Sequence, residues 1–155
     1  MSANERQVGG DHYKSKYQHW DWANNVGLAG LAYAASKYIC RWRNKNGRQD
    51  VEKSLHYVEK MIEAAPVLIV YQNVRPLMAS WVVTETKHFC DVNNIQGLER
   101  AVCFLLASWT SREHLTETKQ AIVSLLTQID ANPKEVSFEG LGHVGQDKIE
   151  VAPTQ

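Results

Sequence analysis

Two apolar stripes at helical spacing, joined by a turn short enough to force a reversal, constrain this sequence more than any other feature. Leu28, Leu31, Ala32, Ala35, Ile39 and Trp42 recur three or four residues apart, which places them on one face of a helix over residues 28–43. Val51, Leu55, Val58 and Ile62 repeat the pattern. Between the stripes, Asn44-Lys45-Asn46-Gly47 reads as a helix stop with Gly47 just past the last turn, and Asp50 as the N-cap of the next helix. The two helices should form an antiparallel hairpin. Gly27, Gly30, Ala34 and Ala35 would let another backbone approach the first of them closely. A short helix is expected from about Trp20, breaking at Asn24-Asn25, and Pro66 is expected to end the second stripe's helix.

Beyond Pro66 the pattern is apolar and less marked. Residues 67–74 read equally well as strand or helix, with a break at Pro76. Helices are expected over 77–89, 96–109 and 112–129, the last capped by Ser111 and turning Leu115, Ile122, Leu125, Leu126 and Ile129 inward. His19-Trp20 with Asn24-Asn25-Val26 recurs as His88-Phe89 with Asn93-Asn94-Ile95 at one constant offset. This echo reads as a duplicated helical hairpin whose second copy lost its polar residues; chance likeness between two amphipathic hairpins is the alternative. The expected fold is all-α, a hairpin bundle of about six helices. It divides into a ligand-binding hairpin over 1–65, a scaffold and oligomer-contact half over 66–132, and a polar C-terminal arm over 133–155 with a short strand at Val136-Ser137-Phe138.

The chain's 155 residues are enough for one ordinary core. Nothing at its start resembles a signal peptide and no apolar run approaches a membrane span, so the expected place is the cytoplasm. Cys40, Cys90 and Cys103 lie in apolar stretches without paired spacing, which suggests buried thiols rather than disulfides or a zinc site. His88 and Cys90 come closest to a metal pair but fall short of four ligands, so no metal is expected. The formal net charge is zero, which excludes a protein basic all over and argues against extended nucleic acid as a partner. Basic residues nonetheless concentrate between Lys37 and Lys60, at Lys37, Arg41, Arg43, Lys45, Arg48, Lys53 and Lys60, against only Asp50, Glu52 and Glu59. That segment could attract phosphate, although a pair of solvated helix faces would look the same.

The residues that carry chemistry cluster here. Gly9-Gly10-Asp11-His12-Tyr13 offers a turn whose amides can face an anion, with a histidine and an aromatic beside it. Lys37 and Arg41 stand four apart and project from one helix face, where they could grip one phosphate group; the repulsion between them does nothing for the helix. Tyr38 lies beside them, and on the next helix Lys53, His56, Tyr57 and Lys60 form a polar stripe opposite the apolar one. Phosphates on the cations and a base against an aromatic ring would satisfy such a pair of faces. The candidate binding residues are therefore His12, Tyr13, Lys37, Tyr38, Arg41, Lys53, His56 and Tyr57, and no catalytic residue is assigned.

The ordered blocks Gly10-Asp11-His12-Tyr13, Trp20-Asp21, Lys37-Tyr38-x-x-Arg41, Arg43-Asn44-Lys45-Asn46-Gly47, Asp50-Val51-Glu52-Lys53 and His56-Tyr57 resemble the small phage-encoded family typified by nucleotide kinases that lack a P-loop. The match covers roughly residues 8–63, and the family's usual Asp-Leu-Glu-Lys block reads Asp-Val-Glu-Lys here. The resemblance implies an oligomeric phage protein that handles nucleoside phosphates in the host cytoplasm. A nucleoside monophosphate kinase would add Mg2+ and use His12 or Asp50 to orient the acceptor. A non-catalytic protein that sequesters a nucleotide signal to counter host defence needs only the cations. A true P-loop is absent, and Gly140-x-Gly142-x-x-Gly145 has no strand before it and no room for a βαβ unit after it. The acidic pair at three-residue spacing, Asp147 and Glu150, lies in the tail, which disfavours helical pyrophosphatase chemistry.

Overall fold

The computed structural model describes residues 15–28, 30–73 and 79–133, and these contain six α-helices and no strand. They are α1 (His19–Asn25), α2 (Gly30–Arg41), α3 (Arg48–Asn73), α4 (Ala79–Val92), α5 (Gly97–Ser108) and α6 (Arg112–Ala131), with a 3-10 turn, Trp42–Asn44, after α2. The all-α hairpin bundle expected from the stripes is what forms. The first glycine turn, His12 and Tyr13, the strand at Val136-Ser137-Phe138 and the tail glycines and acids lie outside the described residues.

The hairpin turn closes largely as its residues dictate. Gly47 has φ +55° and donates its N–H to the Trp42 carbonyl at 2.9 Å, a left-handed position where glycine carries no Cβ penalty. Asp50 is not the cap of α3. The helix begins at Arg48, and Asp50 sits inside its first turn, fully buried, where a carboxylate also suits the positive end of the helix dipole. Ser54 Oγ donates to the Ala35 carbonyl at 2.9 Å, so α2 and α3 meet where the small residues of α2 allow it.

Pro66 does not end α3. The helix runs on to Asn73, which settles residues 67–73 as helix and places the 65/66 boundary inside an element. Pro66 lies on the exposed side, where water can take up the carbonyl that loses its partner four residues earlier. Ser111 caps α6 as expected, accepting from the His114 N–H at 3.3 Å. Cys90 and Cys103 are buried, while Cys40 is only half-buried, its sulfur 3.7 Å from that of Cys103.

The second trio of helices retraces the first, in a register two residues away from the one the sequence echo suggests. Val26, Gly27 and Leu28 donate to the carbonyls of Trp22, Asn24 and Ala23; Asn93, Asn94 and Ile95 donate to those of Phe89, Asp91 and Cys90. At that same offset Gly27 and Asn94 both have positive φ, as do Gly30 and Gly97. In this register Gly30-Leu31, Ala34 and Trp42 meet Gly97-Leu98, Ala101 and Trp109. Trp22 therefore matches Phe89, not Trp20. After α2 the first copy carries three extra turn residues, and beyond them the buried positions Val51, Ser54, Val58, Met61 and Ala65 match Leu115, Thr118, Ile122, Leu125 and Ile129.

Each helix packs against its own counterpart, α1 on α4, α2 on α5 and α3 on α6. This is the arrangement of a two-fold dimer built within one chain. Trp22 and Phe89 stack at its centre, ring centroids 4.4 Å apart and 7° from parallel, and Trp22 Nε1 donates to Thr86 Oγ1 at 3.2 Å. The buried apolar side chains of both halves form one core. No helix among the described residues is long and apolar enough to cross a membrane.

Candidate functional site

Tyr38 on α2 and Lys53, His56 and Tyr57 on α3 line one open groove of about 470 Å³. Of the sequence candidates, these four are brought together directly. The Tyr38 and Tyr57 rings lie nearly parallel, 14° apart with centroids at 5.7 Å, and the Arg41 guanidinium sits 4.5 Å from the Tyr38 ring centroid. Lys53 Nζ approaches the same ring at 5.4 Å. One aromatic side chain thus holds two cations at the edge of the groove.

Arg41 has a second duty that spacing on a helix wheel does not reveal. Its Nε donates to Asp50 Oδ2 at 3.0 Å, with the arginine side chain 11% exposed and the carboxylate 0%. Asp50 Oδ1 also accepts from Asn46 Nδ2 at 2.9 Å and from Lys53 Nζ at 3.5 Å. Arg41 is therefore tied to folding as well as to the groove, because a buried carboxylate pairs with it. The same seal leaves Asp50 without the access needed to orient an acceptor. Asp50 balances one of its two cations, and Glu52, which also lines the groove, pairs with Arg48. Arg48 is itself bonded to Asp130 at 2.7 Å, so these pairs leave no excess charge, and Lys53, with a 40% exposed side chain, is the cation that the groove presents.

Lys37 projects from α2 near α1, where it and Arg41 act on His19. Ser36 Oγ gives its single proton to the Tyr33 carbonyl at 3.0 Å, so the 2.9 Å contact between Ser36 Oγ and His19 Nε2 must carry the imidazole's N–H. Nε2 of His19 therefore carries the proton of that contact. Burial against Trp22 and Tyr33, followed by the charges of Lys37 and Arg41, pushes its pKa down to about 3.

Gln49 and Glu52 also line the groove and were not among the sequence candidates. Gln49, Glu52, Lys53 and His56 form a three- and four-residue ladder, so extending the polar stripe one turn back along α3 would have found them. Tyr38, Lys53 and Tyr57 have Leu105, Glu117 and Ala121 as their counterparts in the second copy, so the groove's chemistry belongs to the first copy alone. Among the described residues no three His, Cys, Asp or Glu side chains are grouped so as to hold a metal ion. None of the family models, curated proteins or solved structures compared with the chain matches it.

Proposed function

We propose that the protein binds a nucleoside phosphate in the α2–α3 groove, holding it rather than transforming it. The observation that carries this reading is the convergence of Tyr38, Lys53, His56 and Tyr57, drawn from two helices, on one groove that presents the half-exposed Lys53 ammonium. Phosphate oxygens meet Lys53, and the base lies along Tyr57 and His56, whose rings are 6.4 Å apart. Holding is favoured because the carboxylate nearest the cations, Asp50, is buried beneath them. A sequestered nucleotide signal requires nothing more than affinity. The groove is open, and a second copy of the chain roofing it would take more of the ligand out of water; sedimentation of the purified protein, with and without nucleotide, tests that assembly.

Titration calorimetry with nucleoside mono-, di- and triphosphates tests the binding. Replacing Lys53 with Ala removes charge-assisted hydrogen bonds of about 1.5–3 kcal/mol, so affinity should fall roughly ten- to a hundredfold. The nucleotide should be recovered unchanged. Equal affinity in the variant, or no heat with any nucleotide, overturns the reading, and recovery of a phosphorylated product replaces holding with catalysis.

A further inference from the structure

A second cleft, of about 390 Å³, lies where the end of α2 and the 3-10 turn face the turn between α4 and α5. Its volume falls within the range of small-molecule sites, about 300–1,000 Å³. Ile39 and Ile95 give it an apolar surface, and Asn94 and Gln96 bring carboxamides. No residue of the phosphate groove lines it.

Glu99 reaches this cleft with an asymmetric carboxylate. Oε1 is saturated, accepting from Trp42 Nε1 at 3.1 Å and from Arg43 Nε and Nη2 at 2.9 and 2.6 Å. No donor among the described residues reaches Oε2. That oxygen is not sealed away either, since no buried side-chain oxygen or nitrogen among the described residues lacks a partner. Glu99 lines the cleft and is 8% exposed, and Oε2 is its one oxygen without a donor among the described residues.

Charge narrows the ligand class. Arg43, its guanidinium 4.3 Å from the Trp42 ring centroid, neutralises Glu99, so the cleft holds no excess charge to attract phosphate. What it lacks is an N–H for Glu99 Oε2. Gln96 Nε2 donates to Asn94 Oδ1 at 2.6 Å, which leaves an acceptor on Gln96 and a donor on Asn94. We propose that this cleft is a second binding site, for a neutral heterocycle carrying N–H groups beside a carbonyl, the edge that a nucleobase or phosphate-free nucleoside presents. The ligand's N–H meets Glu99 Oε2, its carbonyl meets the Asn94 amide, and its ring covers the isoleucines.

The Trp42 indole N–H, bonded to the same carboxylate, reports occupancy in a proton–nitrogen correlation spectrum. Guanosine and uridine serve as probes, with ribose 5-phosphate as the control that has phosphate and no base. At least one nucleoside should move the Trp42 signal saturably, ribose 5-phosphate should not, and Lys53→Ala should leave the titration unchanged, which separates this site from the groove. Glu99→Gln places an N–H2 group where Oε2 stood and should weaken binding about tenfold. Gln96 is exposed and its side chain makes no cap hydrogen bond, so Gln96→Ala should keep the fold, weaken binding several-fold, and decide the matter if Glu99→Gln does not fold. The proposal is overturned if neither nucleoside moves the signal at millimolar concentration, or if the folded variants bind as the wild type does.

Discussion

Arg41 shows how one side chain can be read correctly for its neighbourhood and wrongly for its main duty. It stands beside the aromatic groove, but its guanidinium is also the nearest partner of the buried Asp50 carboxylate, at 3.0 Å. Removing one partner of a buried pair costs about 3–5 kcal/mol, because the other charge stays behind. Arg41→Ala should therefore lower the chemical denaturation midpoint sharply, whereas Lys53→Ala, half-exposed and only loosely paired, should stay within about half a kcal/mol. Equal midpoints for the two variants would mean that Asn46 and Lys53 can hold Asp50 without Arg41. His19 makes a second test at this scale. The fold refuses it a proton down to about pH 3, while in the unfolded chain it titrates near about 6.5. Its contribution to stability is therefore complete above that upper value and is lost as pH falls toward the lower one, by up to about 1.4 kcal/mol per pH unit. Asp91, held at about 2 by Lys87 and Arg100, keeps its contribution above the ordinary carboxylate value and loses it only as pH falls below that, outside the range from pH 7 to 5. Urea midpoints at pH 7 and 5 should diverge in the wild type and draw together in His19→Gln.

At the scale of elements, the apolar periods carried most of the information. The stripes of α2 and α6 face inward where spacing put them, whereas on α3 Val51 and Val58 are buried but Leu55 and Ile62 only partly, the buried face turning to Ser54, Met61 and Ala65; the Gly47 and Ser111 signals lie at helix ends. What escaped were effects that depend on tertiary surroundings. Pro66 argues locally for a stop and is overruled where its ring faces solvent. Asp50 has a cap's chemistry but sits in the helix because Arg41, Asn46 and Lys53 surround it. The repeat was visible through its asparagines, yet these fall at different places in the two turns, so only hydrogen bonds and positive φ angles fix the register. That register has a measurable consequence. Gly30 and Gly97 begin equivalent helices at φ +51° and +56°, and a Cβ at either would meet no atom closer than 4.0 Å. Alanine there meets backbone strain rather than a clash, so Gly30→Ala and Gly97→Ala should each cost about 1–2 kcal/mol. Unequal costs in denaturant titrations would count against the equivalence of the two turns.

Across the whole molecule, the pairing of each helix with its counterpart explains why half the chain can lack a groove and still be required. The second copy stands where a partner subunit would stand, and its core is continuous with that of the first. With Leu105, Glu117 and Ala121 where the first copy has Tyr38, Lys53 and Tyr57, it contributes packing and not a second such groove. Trp22 and Phe89 join the halves at the pseudo-two-fold axis, both buried and in face-to-face contact. Truncating a buried phenylalanine costs about 3–5 kcal/mol, and here the loss falls on both copies at once. Phe89→Ala should therefore increase amide hydrogen exchange in α2 and α3 as much as in α5 and α6, with one denaturation transition at a lower midpoint. If α5 and α6 lose protection while α2 and α3 keep theirs, the halves are independently folded units and the axis is only a contact. The same measurement bears on the groove, since a first copy that melts with the second cannot keep Tyr38, Lys53, His56 and Tyr57 together alone.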